Sequence, residues 1–175
     1  MNTQPLDLIT MGRSSIDLYS NQIGTRFEDI SSFAAYVGGS PTNIAVGTRR
    51  LGLESGLLTA VGTDRTGDFV LNFLAQEGFD TSMIPRKPGH PTSAAVLGIE
   101  ENHKTPLVFY RENCADIELS IDDVIAANLE RTGALEIPAR FLMCVKPMRP
   151  APINATLIVL VMGSAFVSGG SRLGC

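Results

Sequence analysis

The chain has 175 residues, a net charge of −4 and 44% hydrophobic residues, enough for one ordinary α/β domain with a real core. An acidic balance without any basic run excludes nucleic acid as the main partner. The longest apolar run, Leu157–Met162, is far too short to cross a bilayer, so no membrane is expected.

The first residues, MNTQPLDLITMG, lack a charged segment followed by a long apolar one, so no signal peptide is expected. Three widely spaced cysteines, Cys114, Cys144 and Cys175, suggest reduced thiols in a cytosolic (cytoplasmic) protein and neither a disulfide frame nor a zinc site. Charge is unevenly spread: residues 1–130 carry a net −8, residues 131–175 a net +4.

In chain order, Leu6–Met11 reads as a strand stopped by Gly12. The stretch Arg13–Tyr19 continues extended, with Asp17 between Ile16 and Leu18. That acid is either the solvent-facing member of an alternating strand or a carboxylate at the mouth of a site. Residues 20–36 read as a hairpin or loop with a turn over Asn21–Gly24. Then come Gly38 and Gly39, Ser40 as an N-cap, Pro41 at the first helical position, and Ile44, Ala45, Gly47 and Leu51 along roughly one helical face. Gly52 ends that helix.

Ser55–Gly62 reads as a buried strand, and Asp64 caps a second helix over Arg65–Glu77, ended by Gly78. Phe79–Ile84 reads as a short strand. Alternation of strand and helix predicts a mostly parallel sheet with right-handed crossovers. Thr92–Ile99 and Pro106–Tyr110, joined by the polar Glu100–Thr105, read as an antiparallel pair. Ser120 caps a third helix from Ile121 to about Glu130, with Asp122 and Asp123 in its first turn.

The glycine pair organises the rest. Two missing Cβ atoms let another molecule lie against the backbone. The following helix start turns free N–H groups and partial positive charge to the same place. Asn43, in the first turn, carries both a donor and an acceptor. A compact hydroxylated or anionic ligand fits, and so does a plain tight turn with a cap. His90 and His103 sit in loops without partners at ligand spacing and read as exposed. Neither a phosphate-loop motif nor a dinucleotide fingerprint is present.

Taken together, GRSSIDLY (12–19), YVGGSPTNIAVGTRRLG (36–52), TAVGTDRTGDF (59–69) and VFYRENCAD (108–116) resemble the PfkB, or ribokinase-like, family of carbohydrate kinases. Within it, GRSSIDLYSNQIG and FYRENCAD look most like the branch acting on 5-dehydro-2-deoxy-D-gluconate in myo-inositol catabolism. Kinases for 2-keto-3-deoxygluconate or fructose are the alternatives.

The resemblance implies a three-layer α/β sandwich with a mainly parallel sheet and a small β lid, incomplete on its C-terminal side. The lid would be built from about 14–36 and 92–111. It implies ATP-dependent phosphorylation of a sugar acid, with Mg2+, and a homodimer through the lid. It assigns substrate contacts to Asp17, Gly38, Gly39 and Asn43, and a carboxylate grip to Arg111. The plain alternative for Arg111 is a surface lid residue paired to Glu112 or Asp116.

The likeness covers about 5–130. The family's catalytic Asp lies in a G-A-G-D element that this sequence lacks; Gly169-Gly170-Ser171 has no Asp. Residues 131–175 hold one acid and four of the ten prolines. They are expected to be a divergent tail, out of frame or disordered, in a chain that binds sugar or dimerises without catalysing.

Overall fold

The computed structural model describes residues 5–101, 104–126, 132–136 and 158–160. Four parallel strands form the main sheet in the order β10-β9-β1-β4. These are β1 (Leu8–Met11), β4 (Ser55–Leu58), β9 (Ala134–Glu136) and β10 (Ile158–Leu160). Successive residues of β1 alternate between the two faces. Ile9 and Met11 pack with Leu58 and Leu135 on one face, where Leu119 and Val124 join them. Thr10 turns to the other face and donates its hydroxyl to the Pro41 carbonyl at 2.8 Å. That face is covered by α1 (Ser40–Arg50), and Val124 belongs to α3 (Ile121–Ala126). A sheet between helices on both sides is the expected sandwich.

The second sheet is ordered β3-β2-β7-β8. Its strands are β2 (Ser15–Gly24), β3 (Phe33–Gly38), β7 (Ser93–Glu100) and β8 (Leu107–Tyr110). β7 and β8 are antiparallel as expected. β2 runs antiparallel to β3 and parallel to β7. This is the lid.

Some local expectations are corrected. The turn expected over Asn21–Gly24 is strand, because β2 continues to Gly24 with pairing to β7 at Ile23 and Gly24. Ser40 is inside α1, not its cap: Gly39 is the N-cap and no side chain caps this helix. The buried face of α1 is Pro41, Thr42, Ala45 and Val46, while Leu51 is 86% exposed beyond its end. The single strand expected over Ser55–Gly62 is broken into β4 and the two-residue β5 (Val61–Gly62). Phe79–Ile84 contains a 3-10 turn, Thr81–Met83, and pairing is deferred to β6 (Arg86–Lys87), parallel to β5.

The capping expectations hold. Asp64 Oδ1 accepts from the Gly67 N–H at 2.7 Å at the start of α2 (Arg65–Gln76), and Gly78 leaves that helix at φ +82°. At α3, Ser120 Oγ accepts from the Asp123 N–H while Asp123 Oδ2 accepts from the Ser120 N–H, a reciprocal box. Val70 and Leu74 of α2 pack with Ala45, Val46, Leu57, Val61, Phe79 and Ile84 into the larger core cluster.

Of the segment expected to be a divergent tail, Ala134–Glu136 pairs with β1 and Ile158–Leu160 with β9, both parallel. His103, Cys144 and Cys175 lie outside the described residues.

Candidate functional site

β1 ends at Gly12, and the chain passes through Arg13 and Ser14 into the lid strand β2. It returns from β3 through Gly38 and Gly39 into α1. These two crossings lie against each other. A Cβ on Gly39 would sit 2.2 Å from the Arg13 carbonyl oxygen, and Gly39 has φ +107°. Only glycine suits that position on both counts. The Ser14 and Thr42 hydroxyls bridge the crossings at 2.5 Å.

Asp17 lies directly above. A Cβ on Gly38 would come within 1.9 Å of Asp17 Oδ2, so the absent side chain is the space the carboxylate occupies. Ser15 Oγ donates to Asp17 Oδ1 at 2.7 Å and fixes its orientation. Asp17 is partly buried, so the expectation of a plain solvent-facing strand residue gives way to a carboxylate held against the glycine pair.

Strand register extends the site sideways. Asp17 is opposite Tyr36 on β3 and Ala95 on β7, and Ala95 is opposite Phe109 on β8. Directly opposed residues share a sheet face. Tyr36, Asp17, Ala95 and Phe109 therefore form one row, with Tyr36 56% and Phe109 50% exposed. Tyr19, two residues on from Asp17, meets Tyr36 edge to face at 5.5 Å.

Arg111 emerges from the end of β8. Its Nε and Nη2 donate to Asp116 Oδ2 at 3.0 and 2.7 Å. Asp116 is fully buried and also accepts from Ser93 Oγ. The pairing foreseen as the plain alternative is thus present, to Asp116. Separating such a pair would strand a buried charge, at a cost of about 3–5 kcal/mol.

Sequence reasoning passed over Arg13. Its guanidinium stacks on the Phe109 ring, 4.9 Å from the centroid. Burial pushes its pKa down, as does Arg111 nearby, while Asp17 and Asp116 oppose this. It makes no side-chain hydrogen bond or ion pair among the described residues. The available signal was positional: a basic residue directly after the glycine ending a parallel strand, where ligands of open α/β sheets collect.

Asn43 stands apart from this group. It is exposed and lines a cleft of about 380 Å³ with Ala35, Tyr36, Val37, Phe69 and Phe73. Neither Asp17 nor the glycine pair contributes to that cleft. His90, half-buried, donates from Nδ1–H to the Asn113 carbonyl oxygen at 3.1 Å.

The groups gathered here are two guanidiniums, a carboxylate aimed beside bare backbone, and aromatic faces. Carboxylates accept from hydroxyls, guanidiniums hold anions, and rings cover the apolar faces of a sugar. The assembly can bind and orient a small polyhydroxylated acid. Among the described residues, no group of three or more His, Cys, Asp or Glu could hold a metal ion, and no helix is long and apolar enough to cross a membrane.

A glycine-floored crossing between a parallel α/β sheet and a small β lid defines a carbohydrate-kinase fold. The profile of the pfkB family carbohydrate kinases matches residues 6–155, and the chain belongs to that family. A 5-dehydro-2-deoxygluconokinase from Geobacillus kaustophilus is 38% identical over 135 residues, covering 77% of this chain and 40% of that one. A PfkB protein from Polaromonas superposes with a TM-score of 0.70 at 28% identity, over 76% of this chain and 45% of its own. A ribokinase II of Escherichia coli, solved in complex with ATP and Mg2+, superposes with a TM-score of 0.70 at 25% identity, over 78% and 44%. The chain spans about two fifths to one half of the length of the curated relatives it matches.

Proposed function

We propose that these residues form the acceptor-binding part of an ATP-dependent kinase for a sugar acid, with 5-dehydro-2-deoxy-D-gluconate as the substrate. The observation that carries the reading is the seating of the lid residue Asp17 over Gly38, close enough to the Arg13 guanidinium to interact with it electrostatically. Asp17 would accept from sugar hydroxyls, and the glycine pair would let the sugar approach the backbone. Asn43, in the first turn of α1, would contact the sugar if the cleft it lines continues to the glycine pair. The lid would exclude water so that phosphate passes to the sugar. The 5-dehydro-2-deoxygluconokinase names among the relatives support the substrate, and the ATP- and Mg2+-bound neighbour supports the donor.

Calorimetric titration of the chain with 5-dehydro-2-deoxy-D-gluconate, 2-keto-3-deoxygluconate, fructose and ribose tests the reading. Saturable binding strongest for the first is expected, and no binding to any of the four overturns it. A second reading, sugar binding without turnover by these 175 residues, is favoured by the absence of a G-A-G-D element from their sequence. ATP consumption dependent on the sugar acid would refute it. The lid also exposes Ile23 at 79% and Tyr110 at 62%, which supports a homodimer through the lid. Sedimentation of the wild type against Ile23→Asp tests that, a monomeric wild type being the refuting result.

A further inference from the structure

Two arginines flank the row of Asp17 and Phe109, and they are in different states. Arg111 directs two of its three nitrogens at one oxygen of a fully buried Asp116, whose other oxygen is engaged by Ser93. Arg111 is thereby held in place as part of the wall. Arg13 holds its guanidinium carbon over the Phe109 ring and has no carboxylate within ion-pair distance among the described residues. Asp17, whose charge acts on Arg13, accepts instead from Ser15 Oγ. The second cation nearby makes an unpaired guanidinium less favourable still, a cost that an added anion would remove.

We propose that Arg13, and not Arg111, grips the carboxylate of the bound sugar acid and so makes the site select acids over neutral sugars. This rests on the reading of the glycine-floored site as an acceptor-sugar site. The Phe109 ring beneath the Arg13 guanidinium carbon restrains the head group and leaves its N–H groups free for two bonds to a carboxylate. With the carboxylate at Arg13, the hydroxyls of the same ligand lie toward Asp17, whose register position is two strands away from Phe109 on the same sheet face. Arg111 then acts as a positioning residue through Asp116 and Ser93.

The test is calorimetric titration of 5-dehydro-2-deoxy-D-gluconate into the full chain as wild type, Arg13→Gln and Arg13→Lys, at two salt concentrations. A charged hydrogen-bond partner lost from the ligand predicts affinity about 10- to 100-fold weaker in Arg13→Gln. Arg13→Lys, which keeps the charge but not the fork, recovers part of that loss. The dependence of affinity on salt shrinks in Arg13→Gln. The urea midpoint of Arg13→Gln falls by no more than the lost contact with Phe109 accounts for, while affinity falls far further, which separates a ligand contact from a structural role. Arg13→Gln binding the acid within about twofold of wild type overturns the assignment and leaves the sugar-acid reading standing. A wild type that binds none of the sugars overturns both.

Discussion

Gly38→Ala is the sharpest perturbation of the site. Gly38 does not have a left-handed φ, so alanine meets no backbone strain there. Its whole cost comes from one neighbour: the added methyl would fall 1.9 Å from Asp17 Oδ2 and 2.3 Å from Asp17 Cγ. A short aspartate cannot bend aside as a long side chain would, so it must turn about χ1 and give up its bond from Ser15. Overpacking of this kind costs about 1–3 kcal/mol. Asp17→Ala removes the obstacle and, since Asp17 is partly exposed, costs about 1 kcal/mol by itself.

The double variant should be little worse than Asp17→Ala alone, so most of the Gly38→Ala cost should reappear as a coupling energy in the double-mutant cycle. Gly39→Ala supplies the contrast. There the methyl would meet the Arg13 backbone carbonyl at 2.2 Å, at φ +107°, and Asp17→Ala cannot relieve it. Urea denaturation at constant m-value measures the wild type, the three single variants and the two double variants. Costs of Gly38→Ala and Asp17→Ala that simply add would refute the packing argument.

Arg111→Met should destabilise by about 3–5 kcal/mol by urea denaturation, since Asp116 is fully buried and would lose its only ion pair among the described residues. Asp64→Ala should cost about 1–2 kcal/mol as a lost cap. Burial pushes the Asp64 carboxyl up, but bonds from Thr66, Thr92 and Gly67 outweigh this and hold it below the usual range. Its contribution is therefore present above the ordinary carboxylate pKa and fades as pH falls through the lowered one, so the wild type and Asp64→Ala converge in stability at acid pH. Glu136→Gln should behave oppositely. Burial raises the Glu136 carboxyl, and neither oxygen has a hydrogen-bond partner among the described residues. Favourable linkage is present below the unfolded-state pKa and is lost as pH rises through the raised one. The glutamine variant should match the wild type at low pH and exceed it by about 1–2 kcal/mol at neutral pH in chemical denaturation; equal stability at every pH would refute this.

Much of the fold was legible because it rests on local chemistry. Asp64 and Ser120 are caps that any nearby backbone N–H can use, and both were readable from residue type and the pattern that follows. The β7–β8 hairpin followed from two apolar runs around a polar tip. What failed to show was whatever depends on a partner strand. The residues Asn21–Gly24 look like a turn, and they are held extended by β7, a strand some seventy positions away. The cap at Ser40 was displaced by one residue because the glycine at φ +107° ends the strand and starts the helix in a single step. At the site, the family motif pointed to Arg111, but only coordinates show it committed to Asp116. Arg13 offered only its position after Gly12, because its contact with Phe109 is made across β2 and β7.

The position of the site follows from how the layers are joined. The lid is joined to the rest of the fold by four chain crossings, into β2, out of β3, into β7 and out of β8, and the first two must come close together where they share the edge of the parallel sheet. Here closeness is achieved by removing side chains at 38 and 39 and tying Ser14 to Thr42. The same step leaves bare backbone at the C-terminal edge of β1, beside the start of α1. Arg13 and Asp17 flank Ser14 and Ser15 at one crossing, so any rotation of the lid about the Ser14–Thr42 tie carries Asp17 relative to the main sheet while Arg13 stays near the pivot. An acid held by Arg13 would keep its anionic end fixed as the lid closed, and its hydroxyls would be oriented by Asp17 arriving from above. Anchoring at the pivot and orienting from the moving strand is a division of labour that one arginine on the far lid strand could not supply.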